Sequence, residues 1–104
     1  MTTFDERKDA FERKFALDEE QKFRANARRN RLLGEWAAAK LGKSGEEAAA
    51  YAKTVVAADF AEAGEEDVFA KVRGDLPASV SDAEIRTQMA ELLEKAATEV
   101  KAGS

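Results

Sequence analysis

Residues 28–42, RRNRLLGEWAAAKLG, combine three arginines with leucines, glycines and the only tryptophan of the chain. Because a helix turns by about 100° per residue, this stretch and the residues before it divide into three faces. The first, the predicted core face, carries Phe23, Ala27, Asn30, Gly34, Ala37 and Leu41, with Leu33 at its border. The second is polar and carries Arg24, Arg28, Arg31 and Glu35. The third carries Arg29, Leu32 and Trp36. A helix with two apolar sides is expected to contact two neighbours, with Gly34 permitting close approach.

The arginine-rich stretch also allows other interpretations. Arginine and tryptophan are favoured in protein interfaces, so Arg29, Leu32 and Trp36 are an alternative partner surface. Nucleic-acid binding is disfavoured because no stacking aromatics interleave the arginines and acids flank them. Binding to a membrane surface is weaker still, because Glu35 interrupts the basic face.

The composition indicates one small all-α domain. The chain has 104 residues, 37% of them charged, with one proline, and Ala, Glu, Lys, Arg and Leu are the residues that helices prefer. It contains neither cysteine nor histidine, which removes thiol nucleophiles, the usual zinc ligands and the usual general base. We therefore predict a protein that is not an enzyme and holds no metal.

The charge is distributed unevenly. Residues 1–43 contain 11 Lys/Arg and 8 Asp/Glu, whereas residues 44–104 contain 6 and 13. An acidic body repels phosphate backbones, which argues against nucleic acid as the main partner. No apolar run approaches the roughly 20 residues that span a bilayer, and the start, MTTFDERKD, is not a secretory signal. These features predict a cytoplasmic protein without direct membrane insertion.

The remaining helices are predicted from caps and apolar spacing. Ser81 and Glu84 form a predicted capping box ahead of a stripe at Ile85, Met89, Leu92, Ala96 and Val100. A second predicted box, Ser44 with Glu47, opens a helix that ends near Gly64 and places inward Ala48, Ala52, Val55 and Val56, with Tyr51 at the edge. A third helix, residues 65–73, begins with three acids that suit its positive end, buries Val68, Phe69 and Val72, and is expected to stop at Gly74.

The first residues form a separate unit in this interpretation. Phe4, Phe11 and Phe15 fall on one narrow stripe, and the pattern shifts at residues 16–18, which predicts a hinge between an arm, residues 1–17, and a bundle domain, residues 18–104. A lone helix of about 15 residues is marginal in water, so we expect the arm to be partly mobile. The phenylalanines either dock on the chain's own bundle or insert into a groove of a partner.

Several motifs carry a resemblance to a known family. They are Phe15-Ala-Leu-Asp18, Phe23, Ala27-Arg-Arg-Asn30, Leu32-Leu-Gly34, Trp36-Ala-Ala38 and Leu41-Gly42, followed by Tyr51-Ala52, Val55-Val56, Asp59-Phe60 and Glu66-Asp-Val68 with Lys71. With them, the chain resembles the zeta subunit of alphaproteobacterial F-type ATP synthase, an inhibitor of ATP hydrolysis. The likeness covers most of the chain and is least distinctive after Gly74.

The resemblance implies a four-helix bundle with an inhibitory N-terminal arm. The arm is expected to insert as a helix at a catalytic interface of the head, between the alpha and beta subunits and near gamma. The predicted partner-binding residues of the arm are Phe4, Arg7, Lys8, Phe11, Lys14 and Phe15. The protein would then lie in the cytoplasm, peripheral to the inner membrane through ATP synthase.

The resemblance also implies a lesser alternative, a bundle that binds or senses nucleotides without catalysis. No cofactor is expected, but weak adenine-nucleotide binding stays open, with a secondary partner or nucleotide surface at Arg28, Arg29, Leu32 and Trp36.

Overall fold

The computed structural model describes residues 14–58 and 65–103. This part of the chain contains four helices and no strand: α1 (Glu19–Lys40), α2 (Gly45–Ala58), α3 (Glu65–Asp75) and α4 (Asp82–Lys101). The longest, α1, packs along both α2 and α4. The prediction of an all-α helical bundle is confirmed. Most of the predicted arm, residues 1–13, lies outside the described residues, so its mobility and the domain boundary after residue 17 stay predictions.

The break between the arm and α1 falls where the change of pattern predicts it. Residues 14 and 15 are helical, residues 16–18 are not, and Ala16 has a φ of +49°, in the left-handed region. Asp18 then caps α1: its carboxylate accepts from the Gln21 N–H at 2.8 Å, and its own N–H donates to the Gln21 side chain at 3.1 Å. This reciprocal cap stabilises a helix start at Glu19.

Helices α1 and α2 share the most extensive helix–helix contact in the described part of the chain, and their backbones approach each other at Gly34. A Cβ atom placed on Gly34 would lie 2.6 Å from the Ala52 Cα atom and 3.0 Å from its Cβ. Since any side chain here would overlap the backbone of α2, the predicted close approach at Gly34 is confirmed. Only glycine lets the two helix backbones come this near.

The main core lies between all four helices. Its buried residues are Leu33, Ala37, Val55, Val68, Val72, Leu76, Val80, Ile85 and Met89, and Trp36, Leu41, Tyr51, Phe69 and Leu92 pack partly buried around them. The stripe predicted for α4 is therefore inward, and Trp36 contacts the core. This supports the prediction that the 28–42 helix touches two neighbours.

The sequence predicts Phe23 in the core, but its side chain is 73% exposed. Gly34 packs against Ala52, and the described part of α2 reaches Ala58, six residues or about 9 Å further. Phe23 precedes Gly34 by eleven residues, or about 16 Å, so it lies on the same face of α1 but beyond the described part of α2. The predicted end of α2 near Gly64 lies outside the described residues.

The two predicted capping boxes differ from the structure in their side-chain contacts. The Ser81 hydroxyl accepts from the Glu84 N–H at 3.0 Å, but the Glu84 carboxylate pairs with Lys40 of α1 at 3.2 Å. At Ser44 the backbone carbonyl accepts from the Glu47 N–H, at 3.2 Å. The backbone at the start of α2 requires the positive φ of Gly45, +56°, which glycine adopts without strain.

Helix α3 does not stop at Gly74, as predicted, but continues through it to Asp75. Pro77 accounts for the end, because proline disfavours helical geometry in the residue before it, Leu76. The Arg73 guanidinium then holds the following turn, donating to the carbonyls of Leu76 (3.3 Å), Pro77 (2.8 Å) and Val80 (2.7 Å).

A polar network joins α2 to the end of α3. The Tyr51 hydroxyl donates to Asp75 Oδ2 at 2.8 Å, and Lys71 Nζ lies 2.8 Å from the same oxygen. Burial, and then the bond to Asp75, raises the pKa of Tyr51 well above its ordinary value. Burial alone would raise the pKa of Asp75, but the bonds from Lys71 and Tyr51 together lower it.

Gly34→Ala is expected to lower the free energy of unfolding by about 1–3 kcal/mol, because the new Cβ forces two helix backbones apart. Ala52→Gly should not rescue it, since the overlap is with the Ala52 Cα. The matched control is Gly74→Ala, also within a helix, where a Cβ would meet nothing within 4 Å. Because alanine has a higher helix propensity than glycine, Gly74→Ala should raise the free energy of unfolding by about 0.5–1 kcal/mol. Urea unfolding followed by circular dichroism measures both, and equal effects would contradict the role of Gly34.

Tyr51 is expected to ionise well above its ordinary pKa of 10.0 in the folded protein. Because the folded state favours the protonated phenol, this stabilisation is complete below the ordinary pKa and is lost as pH rises above it. Asp75→Asn should move the pKa back only in part, since burial remains. The chain has one tyrosine, so phenolate absorbance reports it directly. Titration of the folded wild type at the ordinary value would contradict the network.

Candidate functional site

The base of the predicted arm is attached to the bundle. Lys14 Nζ forms an ion pair with Glu94 Oε1 of α4 at 2.9 Å, and the Phe15 ring lies partly buried. Leu17 is buried, with 8% exposure. Of the six residues predicted to bind a partner through the arm, Lys14 and Phe15 are thus seen in contact with their own chain. The other four, Phe4, Arg7, Lys8 and Phe11, lie outside the described residues.

These contacts form a second, smaller apolar cluster, which we call the arm-base cluster. It consists of the buried residues Leu17, Ala25, Ala97 and Val100, with Phe15 and Leu93 packed against them. The cluster joins the chain before α1 to the C-terminal half of α4. Short side chains at Ala25 and Ala97 leave room between the helices for Leu17 and part of Phe15.

Arg29 belongs to the interior, not to the surface suggested by the arginine-rich sequence. Its side chain is only 2% exposed, its Nε donates to Asn30 Oδ1 at 2.7 Å, and its Nη1 lies 3.4 Å from Glu65 Oε1. A buried guanidinium requires such charge and hydrogen-bond partners. The prediction of Arg29 as part of a secondary partner or nucleotide surface is therefore corrected: Arg29 links α1 to the first turn of α3.

The other residues of that surface do not converge either. Arg28 pairs with Glu99 of α4 at 3.2 Å, so it faces α4, whereas Trp36 packs on the main core. Leu32 is partly buried. Lys40 lies 5.7 Å from the centre of the Trp36 ring, within the range of a cation–π contact. Arg28, Arg29 and Trp36 therefore contact other helices of the bundle.

The acids at the start of α3 also have structural partners. Glu66 receives two hydrogen bonds from Arg86 of α4, at 2.9 and 3.1 Å, and these bonds lower the pKa of Glu66. The Arg86 guanidinium lies 3.7 Å from the centre of the Phe69 ring. Together with the Arg29–Glu65 pair, these contacts hold the start of α3 against α1 and α4.

Residues 14–58 and 65–103 contain no group of three or more acidic side chains placed to hold a metal ion. A shallow groove on α4 is lined by Glu91, Glu94, Lys95, Thr98 and Glu99. Two of its three carboxylates, Glu94 and Glu99, are paired with Lys14 and Arg28. Its lining has one cationic side chain, Lys95, so it offers no cluster of cations for the phosphates of a nucleotide. Two buried polar atoms, Asn30 Nδ2 and Asp67 Oδ2, have no hydrogen-bond partner within the described part of the chain.

The family model described as ATPase inhibitor subunit zeta matches residues 1–99, nearly the whole chain. The chain belongs to this family. No individual curated protein matches it. Membership of the zeta family confirms the resemblance identified from the sequence motifs and indicates a regulatory protein. Within the described residues, no helix of this zeta-family member is long and apolar enough to span a membrane.

Sequence reasoning missed the bundle side of the arm-base cluster in this zeta-family chain. Glu94, which receives Lys14, and Ala97, which underlies the cluster, were not singled out. A signal was present, because Ala97 lies beside the predicted inward stripe, whose last member is Val100, and widens the apolar face of α4 toward its end. Periodicity could not tell which segment that wider face would contact.

Arg29→Ala in this zeta-family protein is expected to lower the free energy of unfolding by about 2–3 kcal/mol. Breaking a buried pair typically costs 3–5 kcal/mol, and partial solvation of Glu65 reduces the loss. The control is Arg31→Ala, whose exposed pair with Glu35 should contribute less than about 0.5 kcal/mol. Urea unfolding separates the two. Equal stability of both variants would contradict the interior role of Arg29.

Proposed function

We propose that this protein inhibits ATP hydrolysis by the catalytic head of an F-type ATP synthase and has no chemistry of its own. Residues 1–17 form the inhibitory arm, which inserts as a helix at a catalytic interface between alpha and beta subunits, near gamma. Phe4, Phe11 and Phe15 serve as apolar anchors, and Arg7, Lys8 and Lys14 pair with acids of the partner. The protein acts in the cytoplasm, held at the inner membrane by the enzyme that it binds.

The observation that carries this proposal is the family match, which extends over residues 1–99 and so includes the arm. The composition of the arm suits helix-in-groove binding, since at helical spacing its three phenylalanines would share one face of a segment rich in charges of both signs. The bundle offers a stable support, because its own cationic side chains largely pair with its own acids. Examples are Arg28 with Glu99, Arg29 with Glu65 and Arg86 with Glu66.

The alternative, a nucleotide-binding bundle, receives less support from the side chains. Arg29 is buried and paired, and the lining of the groove on α4 has only one cationic side chain, Lys95. Titration of ATP and ADP followed by Trp36 fluorescence tests it directly. A saturable change at physiological nucleotide concentrations would favour nucleotide binding, and no change at millimolar concentrations would count against it.

Removal of residues 1–16 is expected to abolish inhibition while leaving the bundle folded. The truncated chain begins at Leu17, so it keeps the buried leucine and the Asp18 cap. The measurement is ATP hydrolysis by the isolated head of an alphaproteobacterial ATP synthase, titrated with the full-length and truncated chains. Circular dichroism checks that both are folded. Equal inhibition by both would move the binding surface to the bundle, and no inhibition by either would reject the proposed function.

Single phenylalanine substitutions refine this test. Phe11→Ala removes a proposed apolar anchor of the arm. Truncating a hot-spot side chain typically costs at least about 2 kcal/mol of binding free energy, so we expect a loss of affinity of roughly 30-fold. Phe23→Ala is the matched control, since this phenylalanine is exposed on the bundle. Loss of inhibition with Phe23→Ala and not with Phe11→Ala would contradict insertion of the arm.

A further inference from the structure

The described start of the chain holds two of the proposed partner-binding residues against α4. Lys14 is bonded to Glu94 at 2.9 Å, and Phe15 packs against the arm-base cluster. Lys14 also lies 5.3 Å from the centre of the Phe15 ring, so the ammonium group and the ring are held together at one place. Neither side chain can keep these contacts and at the same time enter a groove of another protein.

The backbone at this point has the form of a closed corner. Residues 14 and 15 are helical, Ala16 adopts a left-handed conformation with φ of +49°, and Asp18 caps α1 from the other side. An L-residue other than glycine adopts this conformation at a cost, so the surrounding contacts must hold it in place. The buried Leu17 and the Lys14–Glu94 pair are the contacts available to do so.

From this arrangement we infer that the contact of Lys14 and Phe15 with α4 is an autoinhibitory latch. The inference rests on the proposed function. In the free chain the latch holds the base of the arm on the bundle, and it must open before Lys14 and Phe15 reach the ATP synthase head. A ligand-competent state that is only partly populated weakens apparent affinity in proportion to its population. The latch therefore sets how much free inhibitor is needed to block hydrolysis.

The latch is tested by locking it. The chain has no cysteine, so the double variant Lys14→Cys with Glu94→Cys can be joined selectively by a short, reducible bis-maleimide. We expect ready intramolecular crosslinking, loss of inhibition at least tenfold in the locked form, and return of inhibition when the linker is reduced. The same double variant before crosslinking is the reference, because it already lacks the Lys14 ammonium group.

The outcomes separate this inference from the proposed function. If the locked form inhibits as well as the unlocked double variant, the latch is rejected and an arm of residues 1–13 suffices. Failure of the two cysteines to crosslink within one chain also rejects it. If the wild type does not inhibit, the proposed function fails instead.

Opening the latch from the bundle side gives the opposite change. Glu94→Gln removes the charge that Lys14 contacts and leaves every arm residue intact, so the concentration for half-inhibition should fall roughly two- to fivefold, as expected for an exposed ion pair. The control is Glu91→Gln, one turn earlier on the same exposed face, which should not change it. An unchanged or higher concentration with Glu94→Gln overturns the inference. A higher value would show that the contact positions the arm.

Discussion

The contact of α1 and α2 at Gly34 sets the geometry of the whole bundle. Because the Ala52 Cα occupies the space where a side chain on residue 34 would begin, the axes of the two helices are fixed at a short distance. Leu33 and Ala37 of α1 and Val55 of α2 belong to one buried cluster. The buried residues of α3 and α4 pack into the same cluster. A larger residue at position 34 would move α2 outward and open this core on one side.

Ion pairs and hydrogen bonds, in addition to apolar packing, hold α3 against the rest of the bundle. Helix α3 is short, 11 residues, and buries only Val68 and Val72. Its first turn is held by Arg29 from α1 and Arg86 from α4, and its last turn by the bond from Tyr51. These pairs differ in strength, since the Arg29 side chain is buried and the Glu66–Arg86 pair is in contact with solvent. The arginines that make the sequence look like a binding surface therefore act largely within the fold.

The residues between the predicted arm and α1 form a turn that is held against the bundle by specific contacts. A reciprocal cap fixes the start of α1, Leu17 fills a gap between α1 and α4, and Lys14 reaches Glu94. In an inhibitor of the zeta family, this turn lies between the segment proposed to enter the enzyme and the domain proposed to present it. Under the proposed function, Lys14 and Phe15 cannot serve both contacts at once, so binding of the enzyme would be coupled to release of these side chains from α4.

Much of the fold could be predicted from the sequence because helix periodicity is a local property. The apolar stripe of Ile85, Met89 and Ala96, the cap at Ser81 and the break near Ala16 all follow from neighbouring residues. The absence of cysteine and histidine excludes thiol nucleophiles, the usual zinc ligands and the usual general base from composition alone. The motif around Trp36 pointed to the family. For the candidate site, the sequence singled out the arm, but four of its six named residues lie outside the described part of the chain.

Only the tertiary structure decided which residues on a given face are covered. Phe23 and Gly34 share a face of α1, yet Phe23 is exposed because it lies beyond the part of that face that the described α2 covers. Arg29 shares a face with Trp36, yet it is buried because Glu65 and Asn30 satisfy its charge and its donors. Phe15 has α4 beside it, which no local pattern encodes. Periodicity fixes which side chains point the same way, whereas burial depends on the length and position of the neighbouring helix.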